Sequence, residues 1–223
     1  LASACTINEI NIPAFVRQSR MLPSFSDAHR EAARKALGGA EPEAFYMFAG
    51  TNGYVERVVA AHERAREAIK SAVPDLLVGM TISIQEEEAE DHDDARAALA
   101  VRREALYDPF YDAAKGDDFV GVQTYTRMMT FRDGKTGRAK GAEKTSMGYE
   151  YRPQALAAAC RDAAKATGAP VLVTESGYAG EDKRRCEFIQ GALDGVHAAI
   201  ADGVDIRGYY YWSAFDNFEW MSG

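Results

Sequence analysis

Five times along the chain a short run of apolar and β-branched residues gives way to a longer segment with helical spacing, and this alternation restricts the fold more than any other feature. The strand-like runs fall at 2–7, 76–84, 119–125, 171–174 and 208–212. None alternates polar with apolar residues as a half-solvated strand does. Strands covered by helices on both faces read as continuous apolar runs, so the pattern predicts an α/β protein with a parallel sheet. The intervening segments agree. Val55, Val58, Val59, His62, Ile69 and Val73 form one stripe at spacings of three and four ahead of Pro74. Pro153 suits the first position of a helix, with Leu156, Ala159, Cys160 and Ala163 facing inward and Gly168 as the stop. Cys186, Ile189, Leu193, Val196 and Ile200 predict the buried face of a further helix before Asp202 and Gly203. A shorter helix over 26–37 opens on a Ser/Asp cap and closes at Gly38 and Gly39.

No linker or repeat divides residues 1–223, which predicts a single β/α domain. Five units in 223 residues is about 45 per unit. Eight such units would need roughly 360 residues, within the range of a (β/α)8 TIM barrel, so the chain reads as about five-eighths of one. Its first and last strands carry no charge or proline to protect an open edge. The chain also opens inside a strand and without Met, which suggests a processed or incompletely recorded protein. The net charge of −8, with 26 scattered Lys and Arg, argues against a nucleic-acid partner. No apolar stretch approaches 18 residues, so no membrane partner is expected. Cys5, Cys160 and Cys186 lack metal-ligand spacing. They read as reduced structural thiols of a cytoplasmic protein, with no metal and no cofactor.

Chemistry concentrates at strand ends. Thr6-Ile7-Asn8-Glu9 closes the first strand with a polar pair, and in a β/α barrel the carboxyl ends of the strands converge on the active-site mouth. Alone, the tetrapeptide also fits a cap or loop carboxylate. A second carboxylate, Glu175, follows the apolar run Val171-Leu172-Val173-Thr174 directly before a turn. Two carboxylates at one mouth are the usual equipment for cleaving a glycosidic bond. The terminal segment from Gly208 adds Trp212, Asp216, Asn217, Glu219 and Trp220, an aromatic platform beside hydrogen-bonding groups that suits a pyranose ring.

At these places the sequence resembles glycoside hydrolase family 1, the β-glucosidase and β-galactosidase family. Thr6-Ile7-Asn8-Glu9-Ile10 is similar to the family's acid/base motif TxNEP, Val173-Thr174-Glu175-Ser176-Gly177 to its nucleophile motif I/V-TENG, and the segment from Trp212 to Trp220 to WSLLDNFEW. The stretch from Asp118 to Arg127 resembles DFxGxNYYTR, and Tyr149-Glu150-Tyr151-Arg152-Pro153 resembles WExxP. The resemblance implies strands four to eight of the family's barrel, the first three being absent. It implies Glu9 as acid/base and Glu175 as nucleophile of a retaining β-glycosidase, with Asn8 on the sugar 2-hydroxyl and Tyr125 orienting the nucleophile. Gln123, which replaces the family's asparagine, belongs to the implied substrate-binding set, as do Trp212 under the ring and Glu219 and Trp220 on the distal hydroxyls. Ile10, Thr124, Ser176 and Tyr149 also depart from the family pattern, and none of these changes removes a carboxylate.

The expected partner is a small-molecule β-glycoside or oligosaccharide. Bare sheet edges further predict a homo-oligomer or a complementary barrel fragment. The alternative function is a catalytically silent half barrel that binds sugar weakly or acts as a folding unit. Seven carboxylates within 85–94 read as the solvated first turn of a helix, and the basic, glycine-containing segment 130–144 reads as a loop over the mouth. His29, His62, His92 and His197 are assigned no chemistry.

Overall fold

A computed structural model describes residues 2–19, 27–39 and 53–218. Its elements run β1 (Ser3–Cys5), α1 (Ile12–Ser19), α2 (Asp27–Ala36), α3 (Tyr54–Ala72), β2 (Leu77–Ser83), β3 (Glu86–Ala89), α4 (Asp93–Leu106) and α5 (Asp108–Ala114). There follow β4 (Phe119–Thr124), β5 (Arg127–Thr130), β6 (Thr136–Gly137), α6 (Ala155–Thr167), β7 (Val171–Ser176), α7 (Asp182–Ala201) and β8 (Ile206–Tyr209). The main sheet is wholly parallel in the order β1-β2-β4-β7-β8, so each of the five expected strand runs contributes one strand and each neighbour pair is joined by a helical crossover.

The continuous apolar runs have the cause expected of them. Every residue of β4 is buried, as is every residue of β2 after Leu77. Met80, Ile82, Val120, Val122, Val171 and Val173 turn one face of the sheet into the helix-covered core, against Leu106, Phe110, Leu156 and Cys160. Each large side chain buried there contributes about 1.5–3 kcal/mol. The opposite face is built from small residues. A Cβ on Gly121 would meet the Thr81 methyl at 2.7 Å and the Thr174 methyl at 3.1 Å, so glycine is what lets three strands pack this closely.

Helix α6 buries Leu156, Ala159, Cys160 and Ala163 as expected and stops at Gly168 in the left-handed conformation (φ 70°). Its N-cap is Gln154, so Pro153 precedes the helix rather than opening it. Helix α7 is rotated from the expected face. Phe188, Ala192, Val196 and Ala199 are buried, whereas Cys186, Leu193 and Ile200 are exposed. The reason is close packing on α6 through small residues: Cβ atoms on Gly191 and Gly195 would lie 3.2 Å from Pro153 and 3.1 Å from Ala157.

The acidic segment also differs from expectation. Glu86 to Ala89 form a strand, and only Asp93 and Asp94 lie in the first turn of α4. Strand β3 pairs parallel to β5, which pairs antiparallel to β6, so part of the expected loop over 130–144 belongs to a second, three-stranded sheet. The glutamates are held by cations. Arg152 bonds Glu86, Arg127 bonds Glu88 and Glu150, and Arg102 Nε lies 3.1 and 3.0 Å from the two oxygens of Glu87. The Glu87 side chain is fully buried, and the Tyr107 hydroxyl donates to it at 2.8 Å. Burial and the neighbouring Glu87 charge push the Tyr107 hydroxyl well above its ordinary pKa, so it remains a donor.

Candidate active site

The segment leaving β1 stays attached to β2. Thr6 N–H donates to Gly79 O, Thr81 N–H to Ile7 O and Ile10 N–H to Thr81 O, at 2.9 to 3.2 Å. Asn11 is buried and fastens the far end: its amide donates to Ser83 O and Leu106 O and accepts from Ser83 N–H. Between these anchors Asn8 and Glu9 are held at the carboxyl end of the strand. Glu9 has φ 44°, in the left-handed region that a side chain with a Cβ rarely adopts.

Glu175 arrives from β7 by a local irregularity. Val122 pairs with Val173, but the next residue, Gln123, pairs with Glu175, so Thr174 is an extra residue on β7. Without that bulge Glu175 would alternate to the helix-covered face with Val171 and Val173. With it, Glu175 stands beside Gln123 on the small-residue face.

A row of hydrogen bonds then joins the two carboxylate segments. Gln123 Nε2 donates to Asn8 Oδ1 and to Glu175 Oε1, both at 2.8 Å, and the Tyr125 hydroxyl donates to Glu175 Oε2 at 2.5 Å. Both carboxylate oxygens are therefore engaged by different donors, which fixes the plane of the group. Asn8, Gln123, Tyr125 and Glu175 form one cluster, and Glu9 follows Asn8 in the chain. Gln123 is only 1% exposed, and its Oε1 is buried without a hydrogen-bond partner.

Trp212 lies beyond β8 and abuts the same cluster from the far side. Its N–H donates to Ser176 O at 2.9 Å, and the residue is 45% exposed. The Trp212–Ser213 peptide is cis. A Cβ on Gly177 would fall 2.1 Å from the Trp212 carbonyl oxygen, so glycine directly after β7 is a packing necessity. Asn217 Nδ2 donates to the Ser213 hydroxyl at 2.9 Å. Glu219 and Trp220 lie outside the described residues.

Two supporting residues escape sequence reasoning. Thr81 sits inside an apolar strand, and its hydroxyl accepts from Glu9 N–H at 2.7 Å and donates to Asn8 Oδ1 at 3.1 Å. The signal available was a polar residue, one of two with Ser83, in an otherwise apolar strand. His62 is buried on α3, with Nδ1 2.7 Å from Thr6 Oγ1 and Nε2 3.1 Å from Asp117 Oδ1, so it braces the segment that carries Glu9 from behind. Among the described residues no group of three or more His, Cys, Asp or Glu is arranged to hold a metal ion, and no helix is long and apolar enough to cross a membrane.

Comparison with known proteins agrees with this geometry. Residues 114–223 match the model for glycosyl hydrolase family 1. The β-galactosidase of Sulfolobus acidocaldarius is 28% identical over 74% of this chain and 40% of its own, and a peroxisomal β-glucosidase of Arabidopsis thaliana is 38% identical over 43% of this chain and 20% of its own. Among solved structures, β-glycosidase BGL167 superposes with a TM-score of 0.88 at 36% identity, and β-glucosidase 1317 with 0.87 at 32%. Each of these covers 100% of this chain, which covers 55% of each. The chain thus spans about half the length of the relatives it matches. Its fold is that of part of a (β/α)8 barrel, and over residues 114–223 its sequence is similar to glycosyl hydrolase family 1.

Proposed function

We propose that this chain carries the two catalytic carboxylates of a retaining β-glycosidase that hydrolyses β-glucosides or related β-glycosides. The observation that carries the reading is the hydrogen-bonded row from Asn8 through Gln123 to Glu175 and Tyr125, with Glu9 next to Asn8. In the first step Glu175 attacks the anomeric carbon while Glu9 gives its proton to the departing oxygen, so the bond to the aglycone breaks as a glycosyl ester forms. In the second step the Glu9 carboxylate takes a proton from water, whose oxygen attacks the anomeric carbon and releases Glu175. Two donors on Glu175, Gln123 and Tyr125, fix the plane of its carboxylate and aim it. With Oδ1 of Asn8 turned to Thr81 and Gln123, its planar amide directs Nδ2 the other way, where it would meet the sugar 2-hydroxyl. The Trp212 ring would lie under the apolar face of the sugar, and Glu219 and Trp220 would bind the distal hydroxyls. The protein would act in a reducing compartment such as the cytoplasm.

The test is hydrolysis of a nitrophenyl β-glucoside with NMR observation of the first-formed anomer. Retained configuration, lost in Glu175→Ala, supports the reading; an inverted product, or activity that survives Glu175→Ala, overturns it. The share of the relatives that the chain spans favours a second reading, in which this part alone is silent and works only with a complementary fragment or in an oligomer. Weak sugar binding without turnover by the isolated 223-residue chain, with turnover once the missing barrel units are supplied, would select it.

A further inference from the structure

We propose that Thr81 is a positioning residue, whose hydroxyl sets the backbone of Glu9 and the amide of Asn8 together. The proposal deepens the reading of Glu9 as acid/base and rests on it. Thr81 lies in the middle of β2, is 1% exposed, and meets the segment at residues 7–10 with three different groups. Its N–H reaches Ile7 O, its carbonyl takes Ile10 N–H, and its Oγ1 takes Glu9 N–H. The two backbone bonds hold the segment to the sheet whatever side chain stands at 81. The hydroxyl adds what they cannot. A hydroxyl has one proton and two lone pairs, so Oγ1 can accept from Glu9 and donate to Asn8 Oδ1 at once.

Two features make that double bond matter. The left-handed backbone at Glu9 is one that a residue with a Cβ rarely adopts, and its N–H in that conformation is fixed by Oγ1. A change of φ there would swing the Glu9 carboxyl away from the glycosidic oxygen. Asn8 Oδ1 is shared between Thr81 and Gln123, and Gln123 in turn holds Glu175. One buried hydroxyl therefore orders the acid/base directly and touches the support of the nucleophile through a single amide.

Thr81→Val keeps the shape of the side chain and both backbone bonds while removing the hydroxyl; Thr81→Ser keeps the hydroxyl. Amide hydrogen exchange of the 223-residue chain reads the geometry without any turnover. Exchange at Glu9 should rise roughly tenfold in Thr81→Val and stay near wild type in Thr81→Ser, with Ile10 unchanged in both. Should Thr81→Val not fold, Thr81→Ala reads the same exchange. In the active protein, alkyl β-glucosides, whose leaving oxygen needs a proton, should lose at least tenfold more kcat/KM than dinitrophenyl β-glucosides, which depart unaided, and Thr81→Ser should restore the difference. Unchanged exchange at Glu9 in the valine and alanine variants overturns the proposal, as does an equal loss for both leaving groups. Failure of the glycosidase reading looks different: Glu9→Ala would then leave hydrolysis of both substrates untouched, and the exchange result alone would decide whether Thr81 sets the geometry.

Discussion

Replacing Gly177 by alanine probes the narrowest place in the site, where the exits of β7 and β8 meet. The added Cβ would lie 2.1 Å from the Trp212 carbonyl oxygen, 3.2 Å from its carbonyl carbon and 3.5 Å from Tyr125 Cε1. Ordinary contact starts near 3.4 Å, so one exit must retreat by more than 1 Å. The obstacle is backbone, and no rotamer change relieves it. Retreat also stretches the 2.9 Å bond from Trp212 N–H to Ser176 O. Overpacking of this kind costs about 1–3 kcal/mol and the lost bond about 1, for an expected loss of about 2–4 kcal/mol. Gly168→Ala is the control: φ there is 70° but nothing lies within 4 Å, so only the left-handed penalty of about 1–2 kcal/mol applies. Urea unfolding followed by circular dichroism measures both. Amide exchange adds the location, since Trp212 should lose protection in Gly177→Ala and keep it in Gly168→Ala. A Gly177→Ala protein within about 0.5 kcal/mol of wild type, with Trp212 still protected, would refute the reasoning.

Removing one half of the buried pair in Arg102→Leu should cost about 3–5 kcal/mol because Glu87 is left as an uncompensated charge, whereas Glu87→Leu with Arg102→Leu should recover most of that loss; equal stability of the single and double variants in urea would contradict this. Thiol labelling of the native protein should find Cys186 first, then Cys5, whose thiol is pushed up by burial and by Asp117, and not Cys160, whose thiol burial pushes up to about 12; fast labelling of Cys160 below the unfolding transition would count against its placement. Asp118 is held below its ordinary pKa, chiefly by the hydrogen bond from Lys70, so its contribution is present at neutral pH and is lost as pH falls through the folded pKa. The pair is about one-third exposed, and Asp118→Asn should cost about 0.5 kcal/mol near pH 7 and nothing once the wild-type carboxylate is protonated; a difference that grows toward acid pH would reverse the sign argued here.

The sheet was legible because β2 and β4 are sealed on both faces, and only uninterrupted apolar sequence satisfies that burial. Glu9 and Glu175 stood out as candidates for a related reason, since each breaks such a run at its carboxyl end. Strand β3 was not. Four residues reading Glu-Glu-Glu-Ala suggest water by any local rule, and what turns them into a strand is three arginines at positions 102, 127 and 152 that sequence spacing does not bring near. Helix α7 misled in the opposite sense. Cys186, Ile189, Leu193, Val196 and Ile200 define a clear stripe, but packing against α6 selects the face with Phe188, Gly191 and Gly195 instead. At Thr81 and His62 the residue types were visible and their partners were not, because a hydrogen bond between strands and helices depends on register.

The row that joins Asn8, Gln123 and Glu175 also bears on how the chain comes to its native state. Its links span 115 and 52 positions in sequence, and the bond from Thr81 to Asn8 spans 73. Each belongs to parallel strands joined by a full crossover, so no link forms by closing a short loop. Contacts of such separation arise late and slow the search for the folded state. During synthesis residues 6–9 leave the ribosome before β2, β4 and β7, so their polar neighbours exist only later. The ordering of Tyr125 against Glu175 therefore reports that β4 and β7 have paired, and a chain interrupted anywhere before β7 lacks the carboxylate that Gln123 and Tyr125 hold.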